Sequence, residues 1–443
     1  MNTTNDGIRI RFATDDDLPA VYANQAQAYG VTVDPSDVEA WRKRIRCDDI
    51  LVAEDVSDPE LPMLVGTSLY YRLRLTVPGG GSLDAAWLAM IAVAATHQGR
   101  GIWQQISIQG FGILQERGYP ILCGVPTQPT VYEILGAGVA SYARTYNIEP
   151  RFTELRTKPA QNRARVVDAS EAGRVLPELY DRWCAVTPGA LSRDGGWWSD
   201  VLEDRPTQRE NGSTLNFVIH PDGFLTYRVI GASPHAYRRP FGTLVVQDFC
   251  PVTDEAHDEL LGTLVSLKMF DNIVIEVPTD DPLPLKLKDQ LAAQTTGVSD
   301  FLWMRIMNVP DALGARTYWA DADVVLEVVD PLGVAGGRFR LQTRDGVATC
   351  THLVVLYFMH QARRDLVVQT SRHSGRRGTF ALRSPVRPNP IAMSVVRLLA
   401  LEGTELSVVG LDCLDGTPLI DIKPYFASVD SVPEAVVGWS KGG

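Results

Sequence analysis

The sequence predicts a multidomain α/β (α+β) chain: two mixed-sheet domains in succession, a short third segment, and a mostly β barrel module at the end. Three observations carry this. An apolar stretch, Leu88–Ala95, runs through Gln98-Gly99-Arg100-Gly101 into a helix marked by Ile102, Ile106, Ile113 and Leu114, and a strand at Ile121–Val125 follows, giving a β–loop–α–β unit. A second block, about 160–310, repeats the same rough order of elements without such a loop. The segment from Thr351 to Gly443 carries ten basic residues against eight acidic, whereas the preceding 350 residues carry 32 against 45, a shift that marks a different module.

The elements follow in order. Ile8–Phe12 alternates as a strand, Thr14-Asp15-Asp16-Asp17 reads as a capping-box-like helix start, and Leu18, Val21, Tyr22, Ala26 and Tyr29 mark the helix face. Ile50–Glu54 and Leu64–Leu75 read as strands, with Pro78-Gly79-Gly80-Gly81 as a turn. The second block predicts a helix around Ala172–Val186, strands at Leu215–Ile219, Gly223–Val229 and Thr243–Cys250, a helix at Asp254–Met269 and a strand at Asn272–Glu276. Strands at His352–Met359, Leu366–Gln369, Met393–Leu399 and Glu405–Asp412 make the tail mostly β.

Composition narrows the function classes. A chain of 443 residues exceeds one ordinary core. Its 45% apolar and 21% charged residues are those of a soluble globular protein, and a net charge of −11 argues against nucleic-acid binding by the chain as a whole. Six scattered cysteines without a C-x-x-C pair predict reduced thiols and a cytoplasmic setting, and seven dispersed histidines give no metal-ligand spacing. No signal sequence is read at the N-terminus, and no apolar run approaches the roughly 18 residues of a membrane helix.

The loop Gln98–Ile102 offers consecutive backbone N–H groups at a helix N-terminus, where unpaired amides and the helix dipole favour a phosphate; Arg100 adds a bidentate cation. The same glycines also suit a tight turn with no ligand. This Gln-x-x-Gly pattern, in a β-α-β-β-β-α-β order over residues 1–155, resembles the pyrophosphate loop of GNAT acetyltransferases. Three further clusters are similar to the Eis (enhanced intracellular survival) family: Pro188-Gly189 through Arg193 to Trp197-Trp198; Asp281-Pro282-Leu283-Pro284; and Leu302-Trp303-Met304-Arg305 through Ala315-Arg316-Thr317-Tyr318. Residues 156–312 then read as a second GNAT-like domain that lacks the cofactor loop, the alternative being an unrelated α/β domain. Residues 313–350, with Val324–Val329 and Gly337–Leu341, resemble the start of that family's sterol-carrier-like domain, cut short.

The resemblance implies acetyl-CoA as cofactor, its pantetheine arm pairing with Ile91, Ala92 and Val93 and its pyrophosphate on Gln98, Gly99, Arg100, Gly101 and Ile102. Tyr132 matches the family's general acid, flanked by matching Gly136 and Gly138, while Glu133, Ile134, Ala137 and, in the loop, Trp103 depart from the pattern. The implied acceptor is a small-molecule amine of the aminoglycoside or polyamine kind, which suits an acidic pocket; Asp15–Asp17, Asp34, Asp37 and Glu39 are candidates, or simply a solvated charge run. A homo-oligomer is implied by family alone, and no membrane partner.

The tail resembles something else. Gly378–Ile391 (Gly-Thr-Phe-Ala-Leu-Arg-Ser-Pro-Val-Arg-Pro-Asn-Pro-Ile) and Leu411–Tyr425 are similar to the C-terminal half of TrmO/TsaA-type proteins, which methylate N6 of a modified adenosine in tRNA with S-adenosylmethionine. The match spans about 352–428 within a module at 351–443. Arg372, Arg376, Arg377, Arg383 and Arg387 gather cations that suit a phosphate backbone. The resemblance makes Arg383, Arg387, Asn389, Asp415, Asp421 and Lys423 candidates for holding a methyl donor or tRNA; the alternative is a Pro-rich corner and an ordinary Asp415-Gly416 turn. The half before Thr351 is missing, so a half barrel completes its sheet with the Val324–Leu341 strands, by dimerisation, or not at all. The sequence reading is therefore an N-acetyltransferase, the alternatives being a tRNA adenine methyltransferase or a nucleic-acid or dimerisation tail on an acetyltransferase.

Overall fold

A computed structural model describes residues 3–5, 7–32, 34–159, 162–231, 242–343, 352–371, 375–402 and 405–425. The chain divides into two compact units, one of Met1–Thr317 with Glu327–Phe339, the other of Tyr318–Leu326 with Arg340–Gly443.

The first unit holds two mixed sheets. It begins with β1 (Thr3–Asn5), β2 (Ile8–Phe12), α1 (Leu18–Tyr29), α2 (Pro35–Arg44), β3 (Ile50–Asp55), β4 (Met63–Thr76) and β5 (Ser82–Val93). Then come α3 (Ile102–Glu116), β6 (Ile121–Gly124), α4 (Pro129–Ile134) and β7 (Gly138–Val139). The next stretch runs β8 (Tyr142–Ile148), β9 (Arg165–Val167), α5 (Ala169–Val186), α6 (Gly195–Glu203), β10 (Asn216–His220), β11 (Gly223–Ile230) and β12 (Thr243–Pro251). It continues through α7 (Asp254–Ser266), β13 (Asn272–Pro278), α8 (Leu283–Lys286), β14 (Ala293–Asp300), β15 (Trp303–Ile306) and α9 (Val309–Gly314).

The sheets are ordered β1-β2-β3-β4-β5-β6-β15-β7 and β14-β8-β13-β12-β11-β10-β9. After β7 the chain leaves the first sheet, builds the whole second one, and returns to lay β15 antiparallel between β6 and β7, Trp303 opposite Gly124. The boundaries expected at 155 and 312 therefore do not divide the sheets: β8 lies in the second and β15 in the first.

Local chemistry explains the elements around the site. Thr14 gives both its N–H and its hydroxyl to the Asp17 carboxylate (2.7 Å each), the expected capping box. Ile50, Leu51, Val52 and Ala53 are all buried because β3 is covered on both faces. On one side α3 packs Ile102, Ile106, Phe111 and Leu114 against Leu51, Val65 and Leu88. On the other, α1 sets Leu18, Val21 and Tyr22 against Ile50, Leu69 and Met90. Each such side chain contributes about 1.5–3 kcal/mol. The second sheet is covered the same way, by Leu260, Leu261 and Leu264 of α7 on one face and Leu176, Leu179 and Tyr180 of α5 on the other.

Strands β16 (Ala322–Val328) and β17 (Gly337–Thr343) pair as a two-stranded sheet. Beyond them the second unit is β-rich: β18 (His352–Phe358), β19 (Val368–Ser371), β20 (Gly375–Gly378), β21 (Ile391–Glu402), β22 (Glu405–Val409) and β23 (Leu419–Pro424). Four form an antiparallel sheet in the order β22-β21-β18-β23, and β19 pairs with β20. The expected barrel is not formed among the described residues. Closure requires the two edge strands to pair, and β22 and β23 instead lie at opposite edges of the sheet. The junction at Cys350 and Arg372 lie outside the described residues.

Candidate active site

The glycine loop is built as its residue types require. β5 ends in a short turn, Ala95–His97, Gln98 is extended, and Gly99 and Gly101 take φ of 77° and 70°. An L side chain in this left-handed region crowds its own carbonyl, so glycine holds both places. Gly101 is the N-cap of the 15-residue α3, and no side chain caps the first turn. Gln98, Gly99 and Arg100 are exposed, while the Ile102 side chain is buried in the core, so Ile102 can serve an anion only through its N–H.

Asp55, at the end of β3, ties this loop down. Its carboxylate accepts from the Ser57 N–H (2.8 Å), meets His97 Nε2 at 2.9 Å and lies 3.4 Å from Arg100 Nη1. The Ser57 bonds first, then His97 and Arg100, hold the carboxyl far below the usual carboxylate range. His97 is itself buried, with Nδ1 2.7 Å from Thr96 Oγ1. No sequence pattern announced Asp55, because it is 42 residues from the histidine it meets.

One strand away, β5 opens. Its parallel pairing with β6 ends at Trp87–Cys123, and beyond it Leu88–Val93 runs on without β6. Against β4 the register shifts, so that Met90 and Ile91 face the single residue Ser68, and Met90 takes φ 52°. The bulge is pinned by side chains that sequence reading also missed. Met90 O accepts from Gln25 Nε2 (2.7 Å) and Thr67 Oγ1 (3.0 Å), and Ile91 O from the Tyr29 hydroxyl (3.3 Å). Ile91 and Val93 are half-buried and Ala92 is buried.

Tyr132 stands at this opening. It lies on α4, a short helix with Pro129 at its first turn and Gly136, at φ 73°, just past its end. Its hydroxyl donates to Leu88 O (3.3 Å), and its ring meets Trp303 of β15 edge-on at 6.4 Å. Gly124 leaves room for it: a Cβ there would lie 2.7 Å from Tyr132 Oη. Burial raises the phenol well above its ordinary pKa, so it holds its proton through the physiological range. Below α4, Arg305 of β15 donates to Leu135 O (2.7 Å) and to Asp330 (2.7 Å), fixing the helix C-terminus.

Most of the acidic candidates have structural partners, Glu39 among them at 3.9 Å from Arg42. Asp17 pairs with Arg11 (2.7 Å), Asp34 caps α2 through the Ser36 N–H (2.8 Å), Asp37 accepts from Arg205 (2.8 Å), and Asp15 accepts from Cys47. Asp16 and Glu39 are exposed. In the tail, Arg383, Asn389 and Asp415 are exposed; Asp421 and Lys423 pair on β23 at 2.7 Å. The Arg387 guanidinium lies over Phe380 and donates to Thr379 O (3.1 Å). The described cysteines are free, no group of three metal-ligating side chains occurs among the described residues, and no described helix is long and apolar enough to cross a membrane.

Family models for the acetyltransferase (GNAT) domain match residues 9–140 and 189–306, and one for the tRNA-methyltransferase O N-terminal domain matches residues 336–431. That last match begins ahead of the tail segments and takes in β17, which sequence reading placed in a sterol-carrier-like segment. The N-acetyltransferase Eis of Mycobacterium tuberculosis is 32% identical over 346 residues, covering 76% of this chain and 83% of its own. An uncharacterized N-acetyltransferase of Streptomyces griseus is 29% identical over 350 residues, covering 72% and 84%. The crystal structure of Eis1 from Mycobacterium abscessus aligns with a TM-score of 0.66 and 27% identity over 78% of this chain and 86% of its own. A GCN5-related N-acetyltransferase from Anabaena variabilis shares the fold, with a TM-score of 0.65 at 19% identity, over 77% of this chain and 84% of that one. The chain belongs to the Eis-like GNAT N-acetyltransferases and carries in addition a tRNA-methyltransferase O domain.

Proposed function

We propose that the first domain transfers the acetyl group of acetyl-CoA to a primary amine, with Tyr132 as general acid. The observation that carries this is the Tyr132 hydroxyl seated on Leu88 O, at the gap between β5 and β6 and on the strand that leads into the glycine loop. The loop fits the cofactor: uncapped first-turn amides at 102–104, two glycines without Cβ and the Arg100 cation converge where a pyrophosphate needs donors. The edge of Ile91–Val93 suits the pantetheine amides.

Bound acetyl-CoA supplies the acetyl thioester. The acceptor nitrogen bonds to the acetyl carbon as the carbon–sulfur bond breaks; the sulfur leaves with the proton that Tyr132 gives up, and the proton shed by the amine goes to solvent, from which Tyr132 is recharged. The bulge at Met90–Ile91 turns the strand beside the reacting carbonyl, and Gln25 and Thr67 hold it in place. Such fixed geometry lowers the entropic part of the barrier to the approach of amine to thioester.

A second reading rests on the match over 336–431: the tail binds S-adenosylmethionine or tRNA through Arg383, Arg387, Asn389, Asp415, Asp421 and Lys423. Calorimetric titration separates the two. Heat with acetyl-CoA that Arg100→Glu abolishes supports the first reading, and heat with S-adenosylmethionine supports an active tail. Methyl-donor binding without acetyl-CoA binding would overturn the acetyltransferase reading.

A further inference from the structure

Strand β15 meets the helix of Tyr132 at two points. Trp303 and Arg305 are two residues apart and so leave the strand on one face. Trp303 touches the Tyr132 ring. Arg305 passes beneath α4: Nη1 donates to Leu135 O (2.7 Å), the carbonyl at the end of the helix, and Nη2 pairs with Asp330 Oδ2 (2.7 Å). The Arg305 side chain is 3% exposed and that of Asp330 7%. A Cβ at Gly136 would overlap Arg305 Nη1, so this glycine gives the guanidinium its passage as well as taking φ 73°.

A helix of six residues is too short to hold its own shape, and its last carbonyls find no partner within it. Ala137 N–H closes on Tyr132 O (3.0 Å) and Gly136 N–H on Glu133 O (2.8 Å), while the Leu135 carbonyl takes Arg305. The guanidinium is itself held by its neighbours. The Asp330 carboxylate accepts from the N–H groups of Leu332 (3.1 Å), Val334 (2.9 Å) and Ala335 (2.8 Å), which builds the turn at 330–335 around it. Gln115 of α3 donates to Val334 O (2.9 Å), and the Arg305 guanidinium lies 5.0 Å from the centre of the Phe111 ring on the same helix. Arg305 therefore fixes the end of α4 against the body of α3, the helix that begins at the glycine loop. Leu135 stands three residues beyond Tyr132, about 4.5 Å along the helix, so a shift of the helix end passes to the phenol almost undiminished.

We propose that Arg305 is a positioning residue for acetyl transfer. Buried beneath the helix, it acts through Tyr132 rather than on the substrate: it holds the end of α4 so that the Tyr132 hydroxyl stays on Leu88 O, and Asp330 sets the direction of its guanidinium. The proposal rests on the acetyltransferase reading above, with Tyr132 as the acid. The strand that returns from the second sheet thus gives the acid its bearing twice, Trp303 at the ring and Arg305 at the helix. A pair that served stability alone would leave the turnover of folded protein unchanged; a positioning pair shows itself in kcat.

The test uses the full chain and steady-state thiol release from acetyl-CoA with spermine as acceptor. Arg305→Met alone would strand the Asp330 charge in the interior, so it is combined with Asp330→Asn, which keeps a carbonyl oxygen for the turn. Circular dichroism and calorimetric binding of acetyl-CoA show that the variant is folded. The expected kcat is about 10²-fold lower, with the KM for acetyl-CoA changed by less than about twofold. Arg305→Lys keeps a charge for Asp330 but offers one point of contact in place of two, so its folding is spared and its kcat falls about tenfold. On a Tyr132→Phe background neither change lowers kcat further. An unchanged kcat in either folded variant, or an undiminished loss on the phenylalanine background, overturns the proposal. A Tyr132→Phe protein as active as the unmodified one removes instead the reading of Tyr132 on which the proposal rests.

Discussion

Gly124→Ala isolates the placement of the Tyr132 hydroxyl from everything else in the domain. The added Cβ would sit 2.7 Å from Tyr132 Oη, 3.0 Å from Leu88 O and 3.2 Å from Tyr132 Cε1. Ordinary contact lies near about 3.5 Å, so the hydroxyl must retreat by about 0.8 Å. Gly124 is not at positive φ, so the backbone accepts alanine there and the cost falls on the tyrosine and on the Leu88 O that it meets. A misplacement of this size costs about 10²-fold in rate, and overpacking costs about 1–3 kcal/mol in stability. Tyr132→Phe removes the acid itself and is expected to lower kcat by about 10²–10⁴. The two changes act through one hydroxyl, so the double variant should fall no further than Tyr132→Phe alone. Steady-state thiol release gives the rates, and circular dichroism shows that each variant is folded. A Gly124→Ala variant with unchanged kcat, or a further loss in the phenylalanine background, would refute the placement argument.

Other consequences of the same geometry are open to measurement. Gly99→Ala forces an L side chain to φ 77° where no neighbouring atom lies within 4 Å, so backbone strain alone should weaken acetyl-CoA binding, by about 1–2 kcal/mol in a titration. Asp55→Asn releases His97 and Arg100, and the KM for acetyl-CoA should rise several-fold while kcat stays nearly constant. The Asp55 carboxyl is held low, so its anchoring is complete above the usual carboxylate range and is lost only as pH falls through its depressed pKa; KM in the unmodified protein should be flat from pH 6 to 8. The Tyr132 phenol is raised, so kcat should rise as the amine deprotonates and show no fall by about pH 10, where an ordinary phenol ionises. Asp330→Asn leaves Arg305, with 3% of its side chain exposed, without its counter-charge, and urea unfolding should report a loss of about 3–5 kcal/mol.

Much of this was legible in the sequence where the signal is local. The Gly99 and Gly101 loop, the apolar spacing of α3 and the buried run of β3 each dictate their own conformation, and the structure forms them within a residue or two. Short or polar elements were not legible. The helix carrying Tyr132 has six residues, fewer than two turns, and so presents no period. Helix α2 is mostly polar, and β14 is exposed along nearly its whole length because it is an edge strand, so neither shows the alternation that marks a buried face. The partners of the bulge, Gln25, Thr67 and Tyr29, come together only in space. The return of Trp303–Ile306 to the first sheet is a fact of topology, written in no local pattern.

That return sets an order of events as the chain emerges from the ribosome. The slot between β6 and β7 stays empty until residue 306 has left the exit tunnel, more than 150 residues after β7. Until then the edge of β6 is unpaired, Tyr132 lacks the Trp303 ring, and Arg305 has not reached Leu135. Contacts so distant in sequence close slowly. The acetyltransferase half that reads as a free-standing module in the sequence thus matures only after its neighbour has been synthesised, and a nascent chain halted between the two would display an open sheet edge suited to capture by a chaperone.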